Sequence, residues 1–352
     1  MSTRLERFLS GIGGGVAIVH KPENMRYLSG FLGEGALVVS ESKSAIITDF
    51  RYVEAAQRQS PGWEILSVGG DITQNKLIAD CVRQAGGTAL WEEDYLTIQE
   101  GRELARLLGG QEPKSLNGLP ERLRIIKDEQ EIAAMQRAAA ITDDAFAHLL
   151  TWLKPGVTER QAALELFVYM LGHGAQDLSF STIAASGENA SLPHAIPSDR
   201  VIREGDVVTF DFGCKVDDYC SDFTRTVAIG KIDSKLQEIY QIVLEANLRA
   251  LDALRAGKTG REMDSVARDI IAKAGYGDCF GHSLGHGVGR LIHEEPRLSQ
   301  RSDTVLEPGM AVTIEPGIYL PGLGGVRIED LCIVEQDGHR NLCRSSKELI
   351  TL

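Results

Sequence analysis

Two stretches of this chain repeat one another, and the repeat constrains the fold of the carboxy-terminal part. Residues 201–213 read VIREGDVVTFDFG and residues 305–317 read VLEPGMAVTIEPG, with a shared apolar pair, Gly, Val-Thr step and closing Gly. We therefore predict an internally duplicated domain in which each half contributes an equivalent strand. In this superposition Glu315 falls where Asp211 falls, so each half carries a carboxylate at the same place on a buried strand.

The first copy continues into a predicted β-hairpin over residues 206–230, DVVTFDFGCKVDDYCSDFTRTVAIG. If the pairing is symmetric about the bond between Val216 and Asp217, Asp211 and Asp222 face one another with Cβ atoms about 5 Å apart. Two opposed carboxylates destabilise a half-buried strand pair unless a cation or a shared proton lies between them. A metal ion is the simplest remedy.

A second hairpin is predicted to turn at residues 321–325 and to return Glu329 towards Glu315, so that four acids converge. These acids interrupt apolar runs such as VVTFDFG and AVTIEPG. Charged side chains are rarely buried unless they are paired or bind a metal, which favours a metal site. The alternative is that the acids occupy solvent-facing positions of ordinary strands.

His286 lies in the glycine-rich segment FGHSLGHGVGRLIHEEP, residues 280–296. The glycines permit a close approach of the backbone to a ligand or to the sheet. Oxygen-rich ligation with one imidazole suits Mn²⁺, Co²⁺, Fe²⁺ or Zn²⁺, and hard carboxylates favour Mn²⁺. A purely structural histidine is the alternative at this position.

These residues stand in motifs that resemble the pita-bread metallopeptidases, specifically the proline-specific branch of aminopeptidase P and prolidase. The motifs are ASGENASLPH, DFGCKVDDYCSDFTRT, GHSLGHGVG, HEEPRLS, EPGIYLPGLGGVRIED and the amino-terminal TDFRY. The resemblance spans essentially the whole chain. It implies a peptidase with two metal ions that releases the amino-terminal residue from Xaa-Pro peptides, by attack of a metal-bridging water or hydroxide on the scissile carbonyl.

The resemblance also implies a ligand set when it is carried over residue by residue. Asp211 would chelate one metal, Asp222 and Glu329 would bridge the two metals, and His286 with Glu315 would bind the second. Glu315 would also move a proton during catalysis. Two divalent ions per chain are therefore expected, with Mn²⁺ as the first expectation and Co²⁺, Zn²⁺ or Fe²⁺ as the alternatives.

Further residues match family positions that contact the substrate. His194 and His293 would contact the scissile peptide, since a hydrolase needs a donor for the oxyanion and a proton for the leaving amine. Arg327 would either orient a metal-binding acid or pair with a peptide carboxylate. The remaining predicted pocket residues are His282, Tyr319 and Phe180. Relatives often carry Tyr at position 180 and a different stretch at 290–292, so the prolyl pocket departs from the family pattern there.

Two domains are predicted along the chain. Strands and helices alternate up to about residue 115, which indicates an α/β amino-terminal domain over residues 1–120. The resemblance implies that this domain is of the creatinase/prolidase type. Residues 121–352 are predicted to form the catalytic pita-bread domain, a curved and mostly antiparallel sheet flanked by helices. The glycine run SGIGGGVAIV follows a helix-like segment and precedes a strand, the reverse of a dinucleotide-binding loop, so we expect a helix end there.

Composition narrows the range of partners. The formal net charge of −13 over 352 residues disfavours nucleic acid and anionic membranes. The six cysteines lack CxxC spacing, and the first ten residues lack the apolar run of a secretory signal, so a cytoplasmic location is expected. Short proline-containing peptides are the expected partners, and the resemblance implies a homodimer.

Alternatives stay open at this point. The same scaffold supports other reactions, such as creatine hydrolysis or a lyase reaction, although creatine-cleaving relatives lack a complete ligand set. A catalytically silent peptide-binding module is a second alternative, and decay of the ligand set would mark it. The sequence also leaves open whether the enzyme is a dipeptidase or an aminopeptidase, and which first residue it prefers.

Overall fold

The computed structural model describes residues 3–352. Contacts within the chain group it into two compact units, Met1–Arg124 and Ile125–Leu352. Each unit contains its own clusters of buried apolar side chains. No helix among the described residues is long and apolar enough to cross a bilayer.

The described residues of the first unit form six helices and six short strands. They are α1 (Arg4–Ile12), β1 (Val16–Val19), α2 (Pro22–Ser29), β2 (Ala36–Ser40), β3 (Lys43–Asp49), α3 (Val53–Gln59), β4 (Glu64–Val68), α4 (Gln74–Ala85), β5 (Ala89–Trp91), α5 (Ile98–Leu107), β6 (Lys114–Ser115) and α6 (Leu119–Ile125). The strands form one mixed sheet in the order β4-β3-β2-β1-β5-β6. Alternate residues of β1 to β3 belong to two different apolar clusters, because successive side chains of a strand point to opposite faces.

The glycine run in this unit ends a helix, as the sequence predicts. Helix α1 begins after the capping residue Thr3 and ends at Ile12, and it is followed by Gly13, whose φ of 55° lies in the left-handed region. Glycine adopts that conformation without the steric cost of a Cβ. Gly14 is also left-handed with φ 77°, and β1 follows directly.

The second unit begins with two helices, ends with strands, and carries a further helix pair between them. Its elements are α7 (Glu129–Trp152), α8 (Glu159–Gly172), β7 (Asp177–Leu178), β8 (Ile183–Ser186), β9 (Val207–Phe212), β10 (Cys214–Val216), β11 (Tyr219–Cys220), β12 (Phe223–Ala228), α9 (Ser234–Ala253), α10 (Gly260–Lys273), β13 (Gly285–Gly287), β14 (Glu294–Leu298), β15 (Ala311–Ile314), β16 (Gly317–Leu320), β17 (Gly324–Arg327), β18 (Asp330–Val334) and β19 (His339–Asn341), with 3₁₀ helices at Gly187–Ser191 and Gly277–Cys279.

The strands of this unit form small antiparallel sheets, in the orders β11-β10-β7, β12-β9-β8, β14-β13-β15-β18-β19 and β16-β17. Helices α9 and α10 belong to one apolar cluster, and α7 and α8 belong to another. Neighbouring strand residues such as Val207 and Val208 divide between the same two clusters, so both faces of the strands are covered. The predicted fold class, an α/β first part and a mostly antiparallel second part flanked by helices, is confirmed.

The predicted duplication has a counterpart in the backbone hydrogen bonds. Thr158 caps α8 and forms an isolated bridge with Val201, and Thr259 caps α10 and forms an isolated bridge with Val305. Both threonines belong to capping boxes, in which the side chain and the third helical residue satisfy backbone donors reciprocally. Each half therefore joins the start of its second helix to the start of its repeated segment in the same way.

The register of the first hairpin differs from the prediction. Asp211 pairs with Thr224 rather than with Asp222, so the expected facing pair of aspartates is wrong. The turn is centred on Asp217 and Asp218, which have φ of 47° and 69°, the backbone that a two-residue hairpin turn of type I′ requires. Moving the turn by one residue shifts the register by two. Asp222 therefore stays on the same strand face as Asp211, diagonally across the pair.

The second hairpin returns as predicted. The β15–β18 ladder ends with Ile314 opposite Asp330, and the β16–β17 ladder resumes in the same register beyond it. Glu315 and Glu329 lie opposite one another in the gap between these two ladders. Their backbone groups are therefore not held by a regular strand pair.

Candidate metal centre

A cavity of about 480 Å³ in the second unit gathers nearly all of the residues predicted for the site. Tyr319 does not line this cavity, although it contacts two residues that do. The predicted residues that line it are Phe180, His194, Asp211, Asp222, His282, His286, His293, Glu315, Arg327 and Glu329. Sequence positions more than a hundred residues apart thus share one wall.

Three of the predicted ligands offer atoms close enough to hold one cation. Ligand atoms of Asp222, His286 and Glu329 all lie within 4.8 Å of one another, and all three residues are buried. His286 Nε2 lies 3.5 Å from Asp222 Oδ2 and 3.4 Å from Glu315 Oε1. The imidazole and the carboxylates therefore point at a common centre.

The hydrogen bonds of His286 favour one tautomer. Its Nδ1 lies 3.1 Å from the carbonyl oxygen of Gly287, which accepts but cannot donate, so we place the proton on Nδ1. The lone pair of Nε2 then faces the acids, as a metal-binding histidine requires. Burial lowers the pKa of His286 to about 3, which keeps the ring neutral at physiological pH.

Without a cation, the ionised forms of the buried acids repel one another. Burial raises the pKa of Asp222 well above its usual value, and the charges of Asp211 and Glu315 raise it further. Burial likewise raises the pKa of Glu329, with Asp222 as the next cause. The pKa of Glu315 is raised to about 8, again chiefly by burial. A divalent cation would offset these shifts, because it stabilises the ionised carboxylates.

One oxygen of the cluster is left without a partner. Asp211 Oδ1 is buried and has no hydrogen bond to any described residue, whereas Asp211 Oδ2 accepts a hydrogen bond of 2.6 Å from Arg327 Nη2. Buried carboxylate oxygens normally have partners, so an unpaired one that lines this cavity fits a metal ligand. The residues present therefore fit the metals that the sequence predicts.

Threonines and an arginine fix the orientation of the acids. Thr224 donates a hydrogen bond of 2.6 Å to Glu329 Oε2, and Arg327 Nε donates to Thr224 Oγ1 at 3.3 Å. Thr313 donates to Glu315 Oε1 at 3.2 Å and accepts from the backbone N–H of His286 at 3.0 Å. Such contacts preset the ligand geometry before any metal arrives.

A hydrogen-bonded chain connects Arg327 to the cavity wall through Tyr319. Arg327 Nη1 donates to Tyr319 Oη at 2.8 Å, so the phenolic proton is free to donate to His282 Nε2 at 2.8 Å. His282 Nδ1 lies 2.9 Å from the carbonyl oxygen of Ser283, which fixes the ring in the matching tautomer. Tyr319 thus positions Arg327 and His282.

His194 and His293 are exposed residues of the cavity wall. The ring of His293 meets that of His286 edge-on, with centroids 4.5 Å apart. Partial burial and the charge of Arg297 lower the pKa of His293. Phe180 is half-buried and contributes apolar surface to the same wall.

Sequence reasoning missed Thr224, Thr313 and Arg297. Thr224 and Thr313 each stand two positions from a ligand, Asp222 and Glu315 respectively, and the strand period of two would have placed them on the ligand face. Arg297 pairs with His286 across β13 and β14 and lines the cavity. Arg297 was harder to predict from the sequence, because the pairing of β14 with β13 depends on a register shift after His286.

Comparisons with known proteins agree with this geometry. Residues 133–336 match the family described as Metallopeptidase family M24. The chain belongs to this family. Residues 2–126 of this M24 peptidase match the Creatinase/Prolidase N-terminal domain, and the proline-specific pita-bread resemblance inferred from the motifs is confirmed.

Similar proteins align with nearly the whole length of the M24 peptidase. The Xaa-Pro dipeptidase of Pyrococcus furiosus is 39% identical over 334 residues, 94% of each chain. The solved structure of an Xaa-Pro dipeptidase from Bacillus anthracis has 44% identity, a TM-score of 0.94 and 99% coverage of both chains. An X-Pro aminopeptidase from Thermotoga maritima has 34% identity and a TM-score of 0.92, with coverage of 99% of this chain and 100% of that chain.

Proposed function

We propose that this M24 peptidase releases the amino-terminal residue from Xaa-Pro peptides, using two divalent metal ions held by Asp211, Asp222, His286, Glu315 and Glu329. The observation that carries the proposal is the convergence of four carboxylates and a neutral imidazole on one cavity, with raised carboxyl pKa values. Similar chains named Xaa-Pro dipeptidase and X-Pro aminopeptidase support the substrate class.

The residues of the cavity have distinct roles in the proposed reaction. When bound, a pair of divalent cations lowers the pKa of a shared water and polarises the scissile carbonyl. Glu315 takes the proton of the attacking water and delivers it towards the leaving prolyl nitrogen. A carboxylate can accept a proton and then donate it in this way. Arg327 holds Asp211 in position through the bond of 2.6 Å.

His194 and His293 act on the peptide from the cavity wall. One donates a hydrogen bond to the carbonyl oxygen as negative charge develops there, and the other contacts the prolyl nitrogen. Both line the cavity beside the ligands. His282 and Phe180 shape the surface that receives the proline ring, and the Tyr319 hydroxyl positions His282.

Three further assignments belong to the same proposal. Mn²⁺ is the proposed metal, because four hard carboxylates outnumber one imidazole. The proposed domains are residues 1–120, of the creatinase/prolidase type, and the catalytic residues 121–352. A homodimer in the cytoplasm is also proposed, and the six cysteines without disulfides suit a reducing compartment.

The test is hydrolysis of Ala-Pro and Ala-Pro-Ala by metal-stripped protein, with and without added Mn²⁺, scored by the release of free alanine. Metal-dependent cleavage of the dipeptide alone means a dipeptidase. Cleavage of the tripeptide, with or without the dipeptide, means an aminopeptidase. Ala-Ala and Ala-Ala-Ala serve as matched substrates without proline, and equal cleavage of these would refute the proline specificity.

Two variants test whether the measured hydrolysis depends on the proposed site. Glu315→Gln keeps the size of the side chain but removes its capacity to accept a proton, and we expect it to be inactive. Asp206→Asn is the control, because Asp206 pairs with Arg200 at 2.6 Å and does not line the cavity. Cleavage of neither proline peptide by a protein that binds two metals would refute the proposed activity and leave the metal site intact.

A further inference from the structure

The main chain of Glu329 is held by an unusual arrangement. Glu329 lies between β17 and β18, outside both strand ladders. Its backbone N–H donates to the carbonyl oxygen of Thr224 at 3.1 Å. Its own carbonyl oxygen accepts a hydrogen bond from Arg225 Nη1. A side chain from the opposite half of the duplicated unit therefore replaces the missing ladder partner.

Arg225 is fully buried and uses all of its donors. Nη1 also donates to the carbonyl oxygen of Thr224 at 2.9 Å, and Nη2 donates to Asp330 Oδ1 at 3.0 Å. Nη2 and Nε donate to the carbonyl oxygens of Ser345 and Ser346, at 2.9 and 3.0 Å. A guanidinium has five N–H donors in a rigid fork, and each of them has an acceptor here.

The same contacts reach the carboxylate of Glu329. Thr224, whose carbonyl oxygen Arg225 holds, donates its hydroxyl to Glu329 Oε2 at 2.6 Å. Arg225 thus fixes the backbone of Glu329 and also the backbone of Thr224, which orients the Glu329 side chain. Lys347 Nζ lies 3.0 Å from Asp330 Oδ2, so the carboxy-terminal segment also contacts the carboxylate that accepts from the arginine.

We propose that Arg225 is a positioning residue of the metal centre, which sets the place of Glu329 through the two backbone carbonyls. Through the same arginine, the affinity for the metal depends on the carboxy-terminal segment at residues 345–347. The proposal rests on the proposed metal site. Arg225 is absent from the cavity lining, so it acts through Glu329 and Thr224 rather than on the substrate.

The test is the affinity of full-length, metal-stripped Arg225→Lys for Mn²⁺, measured by titration calorimetry. Lysine keeps a positive charge beside Asp330, but its three donors diverge from one nitrogen and cannot reproduce the fork. We expect the Kd for Mn²⁺ to rise at least about tenfold, the usual effect of losing a residue that orients a ligand. Exchange of the Glu329 amide hydrogen should also become faster in the metal-free variant.

Arg200→Lys is the matched control. Arg200 binds both oxygens of Asp206, at 2.6 and 2.9 Å, and also bonds to Ser186 Oγ at 2.7 Å. It is a carboxylate-paired arginine of the same unit with no contact to a predicted ligand. We expect its replacement to change the Kd for Mn²⁺ by less than about twofold, even where its effect on thermal stability matches that of Arg225→Lys.

The outcomes separate this inference from the proposed function. If the unaltered protein binds no Mn²⁺, the metal site and this inference both fail. If it binds Mn²⁺ and folded Arg225→Lys binds equally well, only this inference fails. Should Arg225→Lys not fold, the double variant Arg225→Met with Asp330→Asn removes both buried charges together, and undiminished Mn²⁺ affinity in that variant overturns the proposal.

Discussion

Asp222 is the residue at which stability and function conflict most directly. It is buried beside Asp211 and Glu315, and these charges, together with burial, raise its pKa. Side chains that serve only stability would not be arranged in this way, because like charges in a low-dielectric environment repel strongly. The arrangement is favourable only with a bound cation or a shared proton, so the metal-free protein carries an electrostatic cost.

Asp222→Asn should reveal this conflict in two measurements. Asparagine keeps the shape but cannot carry the negative charge, so we expect the metal-free variant to be more stable than the unaltered protein at neutral pH. Activity should fall at least about 100-fold, the upper range for losing residues that merely support a ligand. Urea denaturation and the Ala-Pro assay provide these values. A variant that is active and fully metallated would contradict the assignment.

Glu315 should give the metal-free protein a pH-dependent stability. Its pKa is about 8 in the folded state and 4.5 ordinarily, so the folded state binds this proton more tightly. The resulting stabilisation is fully present below about pH 4.5 and is lost as the pH rises through about 8. Between about pH 4.5 and pH 8, the metal-free protein should therefore lose stability.

The matched variant is Glu315→Gln, which is neutral at every pH. Urea denaturation of both metal-free proteins across that window should show a smaller pH-dependent loss in the variant. The comparison isolates Glu315, since other groups with raised pKa values, such as Glu92 at about 7, are common to both proteins. Identical pH dependence in the two proteins would show that Glu315 is not the group responsible.

At the scale of elements, the two repeated segments are joined to their helices by equivalent N-caps. Thr158 and Thr259 each accept a hydrogen bond from the third helical residue and close a capping box. Replacement of either by Ala should cost about 1 kcal/mol of unfolding free energy. The double variant should lose about the sum, because the caps share no partner. Chemical denaturation measures all three values.

Serine at the same positions provides the control, since its hydroxyl can still accept the capping bond. A double serine variant should retain most of the stability. If the double alanine variant were as stable as the unaltered protein, the capping boxes would not contribute to either helix.

The first hairpin shows which part of an element is difficult to predict. Alternating apolar residues indicate both strands, but the turn centre depends on which residues adopt positive φ, and Asp217 and Asp218 do so here. Asp is a less distinctive marker of such a turn than Asn-Gly. The misplaced turn shifted the expected register by two residues, and because the strand period is two, the acids still shared one face.

At the scale of the whole chain, motifs and repeats predicted the two-part organisation and the cluster of acids. Local patterns could not reveal how Arg225 spans from β12 to Glu329 and to the segment at 345–347, because those contacts join positions far apart in sequence. Thr224 and Thr313 were within reach of strand periodicity, whereas Arg297 required the pairing of β14 with β13.

The most direct test of the account is the metal content of the purified protein after equilibration with excess Mn²⁺ and removal of free ions. Elemental analysis should find two Mn²⁺ per chain, and the thermal midpoint should rise with Mn²⁺ concentration, because only the folded state offers the assembled ligands. One ion per chain would contradict the dinuclear site. No bound ion and an unchanged midpoint would contradict the metal centre itself.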